Sequence, residues 1–295
     1  RNERTNERKM RLIICPTHDE SSQWIAEYIK MRILSFAPSK DKPFVIGLPT
    51  GSSPIRIYQI LAEYVKKEEL SFRHVVSFNM DEYVNLPSSH PESYHSFMWK
   101  HFFSIIDILP ENAHMLDGNS EDLEKECTAY EQMIDSVGGI ELFLAGIGPD
   151  GHIAFNEPGS SLSSRTRIKT LAYSTIIANA RFFEDDISKV PKLCLTVGVG
   201  TVMDAREIVV IVTGAHKAAA LQRCIEEGVN HMYTASTIQL HRRSCIVCDE
   251  DATLDLKVRT VRYFKGLQKV HEELFTEESM MKGDNILRNT KNLSV

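Results

Sequence analysis

Short apolar runs alternate along this chain with longer stretches in which apolar residues return every three or four positions. The runs read as strands at 10–16 (MRLIICP), 43–48 (PFVIGL), 74–80 (HVVSFNM), 140–148 (IELFLAGIG), 166–173 (TRIKTLAY), 192–199 (KLCLTVGV), 207–214 (EIVVIVTG) and 244–249 (SCIVCD). The longer stretches read as helices over 21–37, 53–70, 93–106, 120–137, 175–183, 216–228 and 252–274. In the first helix Trp24, Ile25, Tyr28, Ile29, Ile33 and Leu34 share one face. The second carries Pro54 near its first turn, where the missing N–H costs nothing. Uniformly apolar strands need both faces covered, and the intervening helices supply the crossovers that parallel strands require. The predicted fold class is α/β, a doubly wound, mostly parallel sheet with helices on both faces, Rossmann-like in its winding. Ligands bind such sheets beyond the carboxyl ends of the strands, where the strand order reverses.

Composition narrows the function. The chain has 295 residues, 42% hydrophobic and 25% charged, which is ordinary for a soluble globular protein, and 10–275 reads as a single domain. Its net charge is −6 and it contains no block of lysines and arginines, which disfavours nucleic acid or a membrane surface as partner. No apolar stretch approaches the ~18–20 residues of a membrane span. Nor does the start offer a secretory signal core, so a cytoplasmic location is expected. Met10 reads as the natural start with 1–9 an appended remnant, and 276–295 as a polar tail that frays. The six cysteines read as reduced, buried thiols. Cys245 and Cys248 spell C-x-x-C, but positions three apart on a strand face opposite ways, which argues against a shared metal or redox role.

Four segments at strand exits carry candidate chemistry. LPTGSSP (48–54) runs from a strand into a helix, and its small residues let backbone N–H groups approach an anion at a helix N-terminus. The alternative is an ordinary turn with Ser52 or Ser53 as N-cap. It is neither a Walker loop nor a dinucleotide fingerprint. FNMDEY (78–83) places Asp81 and Glu82 at the end of an apolar strand, where one could act as a base or both could serve as caps. GIGPDGHIAFNEPGS (146–160) brings Asp150, His152 and Glu157 together among glycines. A histidine shuttles protons near neutral pH, and nearby carboxylates orient its ring. A surface loop or a metal site would use the same residues, although no second histidine stands at ligand spacing. Arg181 and Lys217 are cations that could hold a phosphate or simply be solvated.

Together LPTGSSP, FNMDEYV, HPESYHSFM, GIGPDGHIAFNEPGSSLSSRTRIKTL, ANARFF, LTVGVGTVMDA, GAHKAAAL, EGVNHM and VCDEDATLDLKVRTVRYF resemble, in order, the motifs of the glucosamine-6-phosphate deaminases of the animal, hexameric type. The likeness runs from about Met10 to about Leu274. It implies conversion of D-glucosamine 6-phosphate and water to D-fructose 6-phosphate and ammonia, with no cofactor and no metal. It also implies a lid around 158–190, after the central strand. By resemblance, Asp81 is the enolisation base, and Asp150, His152 and Glu157 open the sugar ring. Gly51, Ser52, Arg181 and Lys217 hold the phosphate. An N-acetylglucosamine 6-phosphate effector site would use Ser160, Arg167, Lys169, Thr170 and Tyr263, in a homohexamer. GSSP stands where many members read GGTP or GSTP, and keeps the hydroxyl. Asn85 stands where many read glycine and is expected to alter a turn beyond the base. The same fold family includes 6-phosphogluconolactonases, pentose-phosphate isomerases and sugar-phosphate sensors, so a lactonase, another sugar-phosphate isomerase or a non-catalytic sensor are the rival readings.

Overall fold

A computed structural model describes residues 10–274. Its strands are β1 (Arg11–Cys15), β2 (Phe44–Leu48), β3 (Val75–Asn79), β4 (Asp81–Tyr83), β5 (Ala113–His114), β6 (Leu142–Gly146), β7 (Arg167–Thr170), β8 (Leu193–Thr196), β9 (Ile208–Val212) and β10 (Ser244–Asp249). The helices are α1 (His18–Phe36), α2 (Ile55–Lys66), α3 (Tyr94–His101), α4 (Leu123–Ser136), α5 (Tyr173–Ala180), α6 (Val199–Met203), α7 (Ala218–Glu226) and α8 (Val258–Leu274).

Seven strands form one parallel sheet in the order β1-β10-β9-β6-β2-β3-β5. Its two faces pack into separate cores. One contains Phe78, Phe143, Ile208 and Val210 with α4 and α7; the other contains Ile46, Leu142, Leu144 and Val209 with α1, α2 and α3. Cys245 falls in the second core and Cys248 in the first, so the C-x-x-C pair is split by the sheet. All six cysteines are buried.

Several sequence expectations are corrected. The strands read at 166–173 and 192–199 do not join the main sheet; as β7 and β8 they pair antiparallel with each other, and β8 pairs antiparallel with β4. Two strands, β4 and β5, are too short to show a period. Leu34, placed on the buried face of α1, is 54% exposed, because that helix turns it past the edge of the core. The 93–106 helix ends at His101 and tightens into a 3-10 turn at Phe103–Ile105. The last helix starts at Val258 rather than 252, after a 3-10 turn at Asp251–Thr253. Asn85 adopts φ 61 and its N–H donates to Gly118 O at 3.0 Å. Asparagine tolerates this left-handed conformation, so the turn beyond the base keeps a form that suits glycine.

The small sheet is locked to the segment before β7 by close backbone approach. A Cβ on Gly198 would fall 1.9 Å from Ser164 O and 2.5 Å from Arg165 Cα. Backbone on both sides leaves nothing flexible to yield. Gly198→Ala is therefore expected to destabilise the fold by roughly 1–3 kcal/mol or more, read as a lower thermal unfolding midpoint; an unchanged midpoint would contradict this packing.

Candidate functional site

Strand order fixes the location. From β2 the chain winds outward to β3 and β5; from β6 it winds the other way to β9 and β10. The reversal lies between β2 and β6, where departing loops leave a crevice at the carboxyl ends. Of the segments expected to carry chemistry, those of Gly51, Asp81, His152 and Lys217 leave from β2, β3, β6 and β9 around that point, while Arg181 follows β7 at the end of α5.

After β2, Gly51 takes φ 97, and no atom lies within 4 Å of where its Cβ would be. The N-cap of α2 is Pro54 and no side chain caps the helix, so neither Ser52 nor Ser53 plays the capping role. The loop thus leaves the positive end of α2 open to an anion. Lys217 ends the 3-10 turn Ala215–Lys217 after β9, and its Nζ donates to Ile147 O at 2.6 Å. Burial lowers its pKa to about 8; the Arg181 charge adds to the fall and Asp150 opposes it. Arg181 terminates α5, exposed, with its guanidinium 4.6 Å from the Phe182 ring centre. Two cations therefore act on each other across the crevice.

Adjacent carboxylates Asp81 and Glu82 separate completely. Glu82 is an acceptor for three N–H groups: Oε1 takes Tyr83 N at 2.8 Å and Tyr94 N at 2.9 Å, and Oε2 takes His95 N at 2.8 Å. It caps α3. Asp81, on the other face of β4, is 5% exposed, and its Oδ1 has no hydrogen-bond partner. Burial, and secondarily the Glu82 charge, push its carboxyl well above the usual carboxylate range.

After β6 the chain folds back at once. Gly148 N donates to His152 O at 2.8 Å, and Gly151 N to Gly148 O at 3.0 Å. His152 Nδ1 lies 2.6 Å from Asp150 Oδ1. A Cβ on Gly148 would sit 2.3 Å from His152 Cε1 and 2.6 Å from Asp150 Oδ1, so the glycine makes room for the pair. Burial works to raise the Asp150 pKa, but the hydrogen bonds and charge of His152 outweigh it, and the group lies below its ordinary value. Glu157 is placed differently from the sequence expectation. Its Oε1 accepts from Ala172 N at 2.8 Å and Thr175 Oγ1 at 2.7 Å, so it holds the start of α5 and Asp150 is the partner of the ring.

Of the effector candidates, Arg167 donates through Nη1 to Asn156 Oδ1 at 2.9 Å. Lys169 and Thr170 follow on β7, and Ser160 is buried with its hydroxyl unpaired. Tyr263 is 53% exposed on α8, which packs against β1, and its ring stands edge-on to that of Phe264 with centres 5.2 Å apart. Sequence reasoning missed Asn156, which is fully buried and donates to Ile153 O and Val197 O, each at 2.9 Å. It also missed Tyr83 and Asn179, joined at 2.8 Å. An amide inside the apolar stretch IAFN was the available signal for the first. Among the described residues no group of three or more His, Cys, Asp or Glu is arranged to hold a metal ion, and no helix is long and apolar enough to cross a membrane.

An open parallel sheet whose exit loops carry an uncapped helix N-terminus, a buried unpaired carboxylate and an Asp–His pair is the architecture of an α/β enzyme. More specifically, the chain belongs to the glucosamine-6-phosphate isomerases/6-phosphogluconolactonase family, whose sequence model matches residues 16–247. It is 64% identical over 265 residues to glucosamine-6-phosphate deaminase 1 of Mus musculus, covering 90% of this chain and 92% of that one. It is 61% identical over 276 residues to glucosamine-6-phosphate deaminase 2 of Homo sapiens, covering 94% and 100%. A solved monomeric glucosamine-6-phosphate deaminase superposes with a TM-score of 0.77 at 38% identity, over 83% of this chain and all of that one. The 6-phosphogluconolactonase of Trypanosoma cruzi, at 20% identity and a TM-score of 0.67 over 87% of this chain and 100% of that one, shares the fold.

The two acids of β4 predict opposite stability effects. The folded pKa of Asp81 is raised above its unfolded value, so ionising it costs stability as pH rises through the folded value. Asp81→Asn removes that cost and is expected to leave the thermal midpoint at neutral pH equal or higher. Glu82→Ala strands three N–H groups and is expected to lose roughly 2–4 kcal/mol. A lower midpoint for Asp81→Asn than for Glu82→Ala would reverse the assignment of base and cap.

Proposed function

We propose that this chain is a glucosamine-6-phosphate deaminase, converting D-glucosamine 6-phosphate and water to D-fructose 6-phosphate and ammonia. The observation that carries the proposal is the pairing of a buried, unpaired Asp81 with the Asp150–His152 couple at one switch point. Its relatives of 61–64% identity bear that name.

Ring opening comes first. The pyranose masks its aldehyde, so a proton must pass from the C1 hydroxyl to the ring oxygen. His152 carries it, with Asp150 fixing the ring and stabilising its charged form. The open aldehyde acidifies the C2 proton. Asp81 removes it, giving an enolamine, and returns a proton to C1, leaving an imine at C2. Water adds to C2 and ammonia departs. The substrate carbonyl takes the electron pair, so the sequence of steps needs no cofactor. A desolvated carboxylate is the stronger base for this task, which is the use of the raised Asp81 pKa. The phosphate is held by Lys217, Arg181 and the backbone of Gly51 and Ser52 at the α2 N-terminus. Glu157 contributes by joining the His152 loop to α5.

The reading extends to a cytoplasmic homohexamer activated by N-acetylglucosamine 6-phosphate bound at Ser160, Arg167, Lys169, Thr170 and Tyr263. Arg167 and Lys169, two apart on β7, share one face for an anion. Sizing distinguishes this from a monomer, the state of one solved relative, and saturating effector should sharpen the substrate response.

Ammonia release from glucosamine 6-phosphate tests the reaction directly. Asp81→Asn is expected to lower kcat by at least ~10²–10⁴-fold with KM little changed, and to stop solvent deuterium entering C1. His152→Gln should retain more activity than Asp81→Asn, because spontaneous ring opening still feeds the base. Equal collapse of both would refute the division of labour.

Phosphate binding has its own pH signature. The Lys217 pKa is lowered to about 8, so its charge is present below that value and lost above it. KM should therefore rise as pH climbs through about 8, and Lys217→Arg should flatten the rise. A KM that stays constant to pH ~10, near the ordinary lysine pKa, would separate Lys217 from the phosphate.

A further inference from the structure

Side chains alternate across a strand, so Asp81 and Tyr83 share one face of β4 while Glu82 takes the other. Tyr83 stands in register with Cys194 of β8. Its ring is buried among Tyr94, Phe155 and Phe183, with ring centres 4.8, 6.0 and 5.9 Å away. The hydroxyl accepts from Asn179 Nδ2 at 2.8 Å, and the Tyr94 hydroxyl lies 3.4 Å from it. Burial keeps the phenol protonated.

Asn179 belongs to the last turn of α5, two residues before Arg181. The opposite end of α5 is held by Glu157 through Ala172 N and Thr175 Oγ1. The helix is thus held at both ends, and each anchor neighbours a residue of the reaction: Glu157 lies on the His152 loop, and Tyr83 lies on the Asp81 strand. Arg181 is a long exposed side chain whose charge is felt by both Lys217 and His216. Where its guanidinium reaches depends on where the last turn of α5 sits. That turn is half-buried over an aromatic socket, which fixes distance but gives no directional restraint. The amide–phenol hydrogen bond supplies the direction. Without the hydroxyl, Asn179 Nδ2 would face an apolar wall, and the turn would have to rotate to hydrate it.

We propose that Tyr83 and Asn179 are positioning residues for the substrate phosphate: their hydrogen bond orients the last turn of α5 so that Arg181 is directed toward Lys217 and the loop after β2. The proposal rests on the reading of Arg181 as a phosphate ligand. It assigns neither residue a part in proton transfer. Pre-organising a flexible cation in this way improves binding by lowering the cost of ordering it.

The test uses the full chain, glucosamine 6-phosphate as substrate and inorganic phosphate as competing probe. Tyr83→Phe keeps the ring in its socket and removes one oxygen; Asn179→Ala removes the donor. Each is expected to raise KM and the phosphate inhibition constant together by about three- to tenfold, the scale of one hydrogen bond, with kcat changed less than about twofold. Made in an Arg181→Ala background, Tyr83→Phe should change neither constant further. The same factor with and without Arg181 would overturn the proposal, since the tether would then act through something else. Unchanged constants in both single variants would overturn it as well. If Arg181→Ala alone leaves KM and phosphate inhibition untouched, Arg181 is not a phosphate ligand. That result rejects the underlying assignment, and the positioning role falls with it.

Discussion

Alternation along a strand of three residues is the constraint on which the site depends. On β4, Asp81 and Tyr83 take one face, where Tyr83 reaches Asn179 of α5, and Glu82 takes the other, toward α3. A slip of one residue would turn the base into the α3 cap and expose the cap to the crevice. Two features prevent it. Antiparallel pairing sets Asp81, Glu82 and Tyr83 against Thr196, Leu195 and Cys194. Just before it, Met80 N donates to Leu48 O at 3.1 Å and Met80 O accepts from Val197 N at 2.8 Å. Met80 is thus bonded to both sheets. The parallel sheet ends at Asn79 and the antiparallel one begins two residues on, and that junction fixes which face of β4 the Asp81 carboxylate takes.

Electrostatic accounting then distinguishes one acid from its neighbours. Glu82 accepts three backbone N–H groups, Asp249 accepts Gly214 N and Ala252 N, and Asp150 faces His152. Each of these has partners that favour the charged form, although burial still leaves Glu82 above its ordinary value. Asp81 has burial and a like charge instead, and among the described residues it is the carboxylate left with a buried oxygen unpaired. The environment, rather than the residue type, sets it apart from the other acids. On the cationic side the same logic applies to Lys217, whose burial beside Arg181 weakens its hold on its own proton.

Much of this was legible in the chain. The alternation of apolar runs with amphipathic helices specifies the parallel sheet, because a central strand such as β9, Ile208–Val212, has no polar face to give to water. The chemistry-bearing loops were legible for the related reason that they interrupt apolar runs with glycines and ionisable groups. What escaped was either too short for a period or decided by tertiary contact. Three residues cannot show alternation, so β4 read as the tail of β3. Leu193–Thr196 reads the same whether its neighbours run parallel or antiparallel. Glu157 and Asp150 are both acids near a histidine, and spacing cannot tell which one faces it. Only the placement of Ala172 N and Thr175 over Glu157 separates them.

The two halves of the site are held with different firmness. Around His152 the backbone is pinned from several elements. Ile153 N donates to Thr234 Oγ1, Thr234 Oγ1 donates to Asn156 O at 2.6 Å, Phe155 N donates to Thr196 Oγ1, and Asn156 binds Val197 O. This web holds Ala154 at φ 51, a left-handed conformation that costs an ordinary residue about 1–2 kcal/mol. A turn under such strain persists only where its surroundings over-determine it. Helix α5 is attached more lightly, by the Glu157 and Asn179 contacts and an aromatic socket. Proton transfer needs donor and acceptor fixed to within a fraction of an ångström, whereas a phosphate must enter and leave. The His–Asp pair stands on the pinned loop and Arg181 at the end of the more lightly held helix. Glu157 joins the two, lying on the loop that carries His152 while it accepts from Ala172 N and Thr175 Oγ1 at the start of α5.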